Sequence, residues 1–275
     1  ERRPLADLAT HALLIAGAAA VLAPVWLAFI ASTLAPEQVL RAPLPLLPGD
    51  RLLENYTAVL TGGTAPLARM LVNSAICALI IAFGKIAISL TSAFAIVYFR
   101  FPGRKACFWL IFVTLMLPVE VRIVPTFQVV SSLGLTDSYA GLTLPLLASA
   151  TATFLFRQFF LSLPDELAEA ARIDGAGPWA FFVHVLMPMA RMPMVALFVI
   201  LFIYGWNQYL WPLMVTTRED FATAVIGIRR LISGGDAATE WNLVMATALL
   251  AMLPPAVVVI AMQRWFVRGL IDSEK

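Results

Sequence analysis

Charge is scarce in this chain: Asp, Glu, Lys and Arg make up 13% of its 275 residues, against 61% hydrophobic ones. Soluble domains carry about twice that share of charge, so the composition points to a bilayer as the solvent. The formal net charge is only +2, and no basic cluster with interleaved aromatics occurs, which sets nucleic acid aside as a partner. Cysteine is nearly absent. Cys77 and Cys107 fall at different depths of neighbouring expected helices, about 30 Å apart along the axis, so neither a disulfide nor a metal site is expected. His11 and His184 are too few and scattered to ligate a metal; His184 reads as a structural or interface residue. An intramembrane enzyme needs clustered carboxylates, a metal site or a nucleophile with its base, and none is found. A G-x-x-x-x-G-K-[ST] phosphate loop is missing too, so the chain is not expected to hydrolyse ATP itself, and any energy it uses would come from a separate subunit.

Apolar runs are abundant. Six are long enough to cross a bilayer, at about 10–34, 70–99, 106–130, 141–161, 192–215 and 241–263. The first is too long for a usual signal h-region and is read as a retained anchor. The fold expected is an all-α polytopic membrane protein, one transmembrane domain over 1–275, with 35–69 as an external segment bearing a short surface helix at Leu52 to Leu60. Arg100 to Lys105 forms a basic turn, and Gly134 and Asp137 mark an external one. Placing both termini, that basic turn and the 163–188 loop in the cytosol puts eleven Lys or Arg inside (2, 3, 100, 104, 105, 157, 172, 191, 264, 268, 275) and seven outside (41, 51, 69, 122, 218, 229, 230). The bias follows the positive-inside rule. Pro118, Pro125 and Pro254-Pro255 remove donors inside spans and are expected to kink them.

One polar interruption, 163–188, separates apolar runs on both sides and must emerge at a membrane surface. Ser162 and Asp165 fit a capping box, Pro164 falls in the first turn, and Gly175 can supply the left-handed residue that ends the helix. Pro178 suits the first turn of a second helix, Trp179 to Met187, which Pro188 is expected to end.

Glu169-Ala170-Ala171, Gly175 four residues on, then Val185, Met187 and Pro188 resemble the EAA loop of importer-type ABC permeases, with Val and Met where the pattern usually has Ile and Leu. The likeness to permeases of the carbohydrate type extends from about residue 70 to the C-terminus. It implies a type I importer permease fold in the bacterial cytoplasmic membrane, with Glu169, Ala170, Ala171, Asp174, Gly175 and Pro188 in a coupling loop seated on a cytosolic ATPase. It also implies a second permease subunit, two ATPase copies and an extracytoplasmic binding protein. ATP and Mg would sit on the partner ATPase, with no cofactor in this chain. Leu231 to Asp236 is similar to the ATPase signature, but it falls in an external loop and reads as a turn.

The stretches 115–125, 137–145, 204–211 and 262–270 resemble permeases for sn-glycerol 3-phosphate, implying uptake of that anion or of glycerophosphodiesters; a sugar importer is the nearest alternative.

Ionisable groups inside spans are costly and therefore informative. Lys85 and Glu120 both fall about 20 Å from the cytosolic ends, and Arg122 and Asn207 about 24 Å, with Ser149 close to that level. Lys85 pairing with Glu120 would leave Arg122 facing a water-filled path; alternatively the charges pair structurally or Arg122 snorkels to the interface. Tyr204, Asn207 and Gln208, in the aromatic run 204–212, can hydrogen-bond hydroxyls and stack on polyol carbons, which makes them candidate lining. Trp211 and Tyr209 fit equally well as interfacial anchors. An ion-coupled carrier with Lys85, Glu120 and Arg122 as a proton relay is the rival from another class, and it leaves 163–188 unexplained.

Overall fold

The computed structural model describes residues 4–62, 66–114, 119–232 and 239–272, and every regular element among them is a helix or helical turn. Contacts divide the chain into two compact units, Glu1–Leu71 with Ala224–Leu253 and Val72–Thr223 with Pro254–Lys275. Two of the three divisions fall inside long helices, Leu67–Tyr98 and Trp241–Asp272. Of the six expected spans, three are unbroken helices, at Thr10–Ser32, Leu67–Tyr98 and Trp241–Gln263. The one expected at 141–161 is a bent pair, Tyr139–Leu146 with Ala150–Leu161, at 48°, while Arg191–Trp206, from the one expected at 192–215, makes a 71° bend with Pro178–Met189 of the 163–188 loop. The remaining one, expected at 106–130, comprises Arg104–Val113 and Val119–Ser132; residues 115–118, including Pro118, lie outside the described residues, as do 233–236 of the glycine turn.

In the first unit, helix α1 (Pro4–Ser32) ends in a buried knot. Its last carbonyls have no intrahelical partner and need donors from elsewhere. Asn55, on the short helix α2 (Leu52–Thr61), supplies them, its amide donating to the carbonyls of Ser32 and Leu34 at 2.9 Å each. Asn242 in turn donates to Asn55 Oδ1 at 3.1 Å. The expected surface helix therefore exists and has a job: its buried asparagine closes the end of α1.

The second unit is built around residues 72–98 of helix α3 (Leu67–Tyr98), where Ala78, Ile81, Ala82, Leu90 and Ala93 are buried. Gly205 lies so close that an added Cβ would stand 3.0 Å from the Ala78 Cα. Small residues at a crossing let two helix backbones approach, a common packing device in membranes.

Prolines mark some breaks and not others: the helices Val119–Ser132 and Trp241–Asp272 continue through Pro125 and through Pro254 and Pro255. The run expected to cross at 192–215 divides into Arg191–Trp206 and Leu210–Val215. Pro212 has no N–H, and its ring would meet the carbonyl four residues back in a continuous helix, that of Gln208. The helix stops at Asn207, and the Gln208 side chain donates to the Tyr204 carbonyl at 3.1 Å. Trp211, expected as a possible interfacial anchor, is buried and its indole donates to the Gly141 carbonyl at 3.1 Å. In the 141–161 run, Ser149 adopts an extended conformation at the bend and caps the following helix by accepting from the Ala152 N–H at 3.3 Å.

On the turn marked by Gly134 and Asp137, both residues have positive φ, 68° and 52°. Asp is among the few side chains that tolerate this region. The Asp137 carboxylate accepts from the backbone N–H groups of Thr217 (2.6 Å) and Arg218 (2.8 Å) and from the Thr217 hydroxyl. Desolvation pushes its pKa up, but these donors and the Arg218 charge outweigh it and hold the carboxyl below its ordinary value. The clamp is thus present above the unfolded-state value of about 3.9 and is lost as pH falls through the lower folded one. Amide exchange at Thr217 and Arg218 should show full protection at pH 7 and a loss of protection only below about pH 4. Asp137→Asn, which keeps the backbone preference, should weaken protection at pH 7 and remove that acid step. A wild-type loss of protection between pH 5 and 7 would contradict this account.

Candidate functional site: a polar cavity and an exposed loop

Lys85, Arg122, Tyr204, Asn207 and Gln208 all line one cavity of about 430 Å³. They come from three helices, and local structure explains how each arrives. Lys85 sits on the buried face of α3 and is only 6% exposed. Its ammonium lies 3.8 Å from the centre of the Tyr204 ring, a cation–π contact that partly replaces lost hydration. Arg122 projects from the first turns of Val119–Ser132. Asn207 and Gln208 line the cavity where the helix has just ended at Trp206 and its backbone is freed. Tyr209 and Trp211 complete the polar and aromatic wall.

Two cations and no carboxylate line this space among the described residues. The side chain of Glu120 lies outside them, and with it the expected Lys85–Glu120 pair. Ser149 does not line the cavity; besides capping the bend, its carbonyl accepts from the Ser89 hydroxyl at 3.3 Å.

The loop 163–188 forms a second exposed region. Its first helix runs from Glu166 to Ile173, and the expected capping box is absent: Asp165 is the N-cap without a side-chain bond, while the Ser162 hydroxyl donates back to the Phe159 carbonyl at 2.7 Å. Ser162 is still the C-cap of the preceding helix, and that role wins. The stop is as expected. Gly175 has φ +70°, Gly175 N–H bonds the Arg172 carbonyl at 3.1 Å, and Ala176 N–H bonds the Ala171 carbonyl at 2.8 Å. That pair of bonds is the complete Schellman motif. Ala171 is buried, whereas Glu169, Ala170, Asp174, Gly175 and Pro188 are exposed.

The second helix differs from expectation. It starts at Pro178, widens to a π-helix over Phe182–Leu186 and continues through Pro188 to Met189. Pro188 does not end it. Widening lets the Met187 N–H reach the Phe182 carbonyl and relieves the clash that the Pro188 ring would otherwise make.

Sequence reasoning missed how this loop is fixed. Phe181 stands 5.2 Å from Tyr98, Phe182 4.8 Å from Phe94, and Phe160 6.0 Å from Tyr98, ring centre to ring centre. The i, i+4 spacing of Phe94 and Tyr98 at the end of a span, beside the adjacent Phe181 and Phe182, was the available signal. Outside this clamp two large apolar side chains are left in the open, Ile173 at 86% and Trp179 at 68% exposure.

Residues 85–272 match the family described as "Binding-protein-dependent transport system inner membrane component". The whole chain is 56% identical over 280 residues to the sn-glycerol-3-phosphate transport system permease protein UgpE of Rhizobium meliloti (strain 1021), covering 99% of that protein. It is 57% identical over 279 residues to UgpE of Escherichia coli (strain UTI89 / UPEC), again covering 99%. Among solved structures, the fold is shared with a bacterial ABC transporter involved in the import of the acidic polysaccharide alginate, at a TM-score of 0.83 and 21% identity, over 97% of this chain and 99% of that one. With a family match over residues 85–272 and more than half of its residues identical to the two UgpE permeases, the chain belongs to the inner-membrane permease components of binding-protein-dependent ABC importers.

Proposed function

We propose that this permease conducts sn-glycerol 3-phosphate or glycerophosphodiesters, with the phosphate held between Lys85 and Arg122 and the glycerol hydroxyls met by Asn207, Gln208 and Tyr204. The supporting observation is the cavity's charge balance, two cations without a described carboxylate. An anion entering it would offset the desolvation that burial imposes on Lys85. The relatives named for sn-glycerol-3-phosphate transport agree with this reading.

Energy would come from two copies of a cytosolic ABC ATPase bound to the 163–188 loop of this chain and of a second permease subunit, with both termini on the same side. Closure of the ATPase dimer would draw the coupling helices together and turn the cavity outward, where a soluble binding protein delivers ligand. Hydrolysis would reset it. The aromatic clamp supports such a role: Phe181 and Phe182 join the loop to Phe94 and Tyr98, on the same helix that carries Lys85, so a push on the loop reaches the cavity through one stiff element.

Proteoliposomes holding the complete assembly and its binding protein decide the matter. ATP-dependent uptake of labelled glycerol 3-phosphate without a proton gradient is expected, with neither maltose nor glycerol accumulated. Uptake that needs a proton gradient and ignores ATP would instead support the carrier reading.

A further inference from the structure

A second cavity, of about 400 Å³, opens beside the C-terminal ends of α3 and of the helix Ala150–Leu161, at the end of the unit that bears the 163–188 loop. Three cations line it, Arg104, Lys105 and Arg157, and among the described residues no carboxylate does. Arg157 is the informative one. It lies within an apolar helix, a full turn before the helix ends. Its guanidinium carbon stands 4.1 Å from the centre of the Phe108 ring, and its Nε is shut off from solvent without a hydrogen bond. Such a donor is costly to leave unmet. Arg104 is partly engaged, donating from Nη1 to the carbonyls of Val97 and Phe99 at 3.4 and 3.3 Å; this closes the end of α3 and fixes the guanidinium at the cavity rim. Lys105 is exposed.

The remaining wall is apolar. Val97 and Leu161 line it, and Trp109 does so while being 58% exposed, next to Leu110 at 71%. A tryptophan at the end of a span sits where headgroups meet acyl chains. Cations at the mouth, an apolar floor and an opening beside exposed aliphatic side chains suit a molecule with an anionic head and a hydrocarbon tail. Free phosphate would use only the first of these.

We propose that this cleft binds the phosphate headgroup of an anionic phospholipid from the leaflet on the side of the 163–188 loop, with Arg157 and Lys105 contacting the phosphate and Trp109 and Leu161 flanking the acyl chains. Basic pockets between membrane helices recognise acidic lipids in this manner. The cleft shares no lining residue with the first cavity, so the proposal stands independently of the transported substrate.

Native mass spectrometry of the complete detergent-purified assembly, delipidated and titrated with phosphatidylglycerol or with phosphatidylcholine of the same chains, tests it. Phosphatidylglycerol adducts should exceed phosphatidylcholine adducts, and each cation removed should weaken the preferred adduct by about five-fold, or about thirty-fold for Arg157→Gln with Lys105→Gln. Arg51→Gln, at an exposed arginine on another part of the chain, should change nothing. Lys105→Gln alone alters a solvent-facing side chain and decides the question if the double variant fails to assemble. Equal retention of the two lipids, or phosphatidylglycerol adducts indifferent to Lys105→Gln, would overturn the proposal. So would displacement of the adduct by millimolar inorganic phosphate, which would make free phosphate the ligand.

Discussion

Glu169→Lys should reduce ATP-driven uptake by about thirty-fold or more, the cost of removing one partner of a charge pair that the proposed ATPase docking would bury. Glu169 is exposed on a helix whose C-terminus is fixed by the Schellman bonds at Gly175 and Ala176. The following helix is clamped by Phe94 and Tyr98, the latter backed by Phe160. A side chain presented on so rigid a mount serves an external partner better than its own fold. Ile173 and Trp179, both exposed, would add to the proposed docking the apolar contact that a charge alone does not, and an aromatic anchor beside a charged group is the usual composition of an interface hot spot. Because Glu169 is exposed, charge reversal should leave the permease folded and paired with its second subunit while the ATPase no longer copurifies. Glu169→Gln should lose less, having no repulsive charge. Wild-type uptake by Glu169→Lys in reconstituted vesicles would remove this loop as the seat of coupling.

The 163–188 loop was legible because its chemistry is local. The stop at Gly175 follows from one residue's tolerance of φ +70°, and the exposure of Glu169 follows from its place in a polar break between apolar runs. Ser162 was misjudged for a local reason too: a serine between two helices can cap either, and only the structure shows that the earlier one claims it. Pro188 shows a different limit. A proline's missing donor is certain from the sequence, but a helix can end at it or widen ahead of it, and the packing of Phe181 and Phe182 decides. Spans at 141–161 and 192–215 read as continuous because apolar content carries no record of bends. Pro145 and Pro212 were the available warnings.

The cavity was partly legible for the same reason that polar residues in a span are informative: they are expensive and so must be accommodated. Layer counting brought Lys85, Arg122 and Asn207 to nearby depths, and these three do share a cavity. It also placed Ser149 there, where depth was a poor guide, since a residue in a 48° bend is displaced from the regular rise on which the counting rests. Tertiary roles of asparagine were invisible. Asn73 donates to the carbonyls of Asp220 and Ala222 at 2.8 and 2.9 Å and accepts from the Tyr139 hydroxyl at 2.7 Å. Those partners are over sixty residues away in sequence, so no periodicity could announce them.

Replacing Lys85 by Met should lower uptake of glycerol 3-phosphate at limiting concentration by about ten-fold to a hundred-fold, the worth of a hydrogen bond to a charged group in the cavity. Arg122→Gln should act similarly. The double variant should lose less than the product of the two, because in the proposed mode both cations would address one phosphate and their contributions would couple. The choice of Met separates function from folding. Lys85 is 6% exposed and lies against Tyr204, and exchanging a buried charge for an apolar chain of similar volume is neutral or stabilising in many proteins. Thermal stability of the Lys85→Met assembly should therefore equal or exceed that of the wild type while transport falls. Tyr204→Phe should preserve the ring face under the ammonium and cost little stability, while lowering uptake through the lost hydroxyl; Tyr204→Leu should remove the ring face as well and cost more in both. A structural role for Lys85 makes the opposite forecast, a fall in stability with transport reduced only in proportion to the protein lost. Uptake by Lys85→Met with Arg122→Gln at the wild-type rate and substrate affinity would mean that the phosphate is recognised by the second permease subunit and that this chain supplies only the wall.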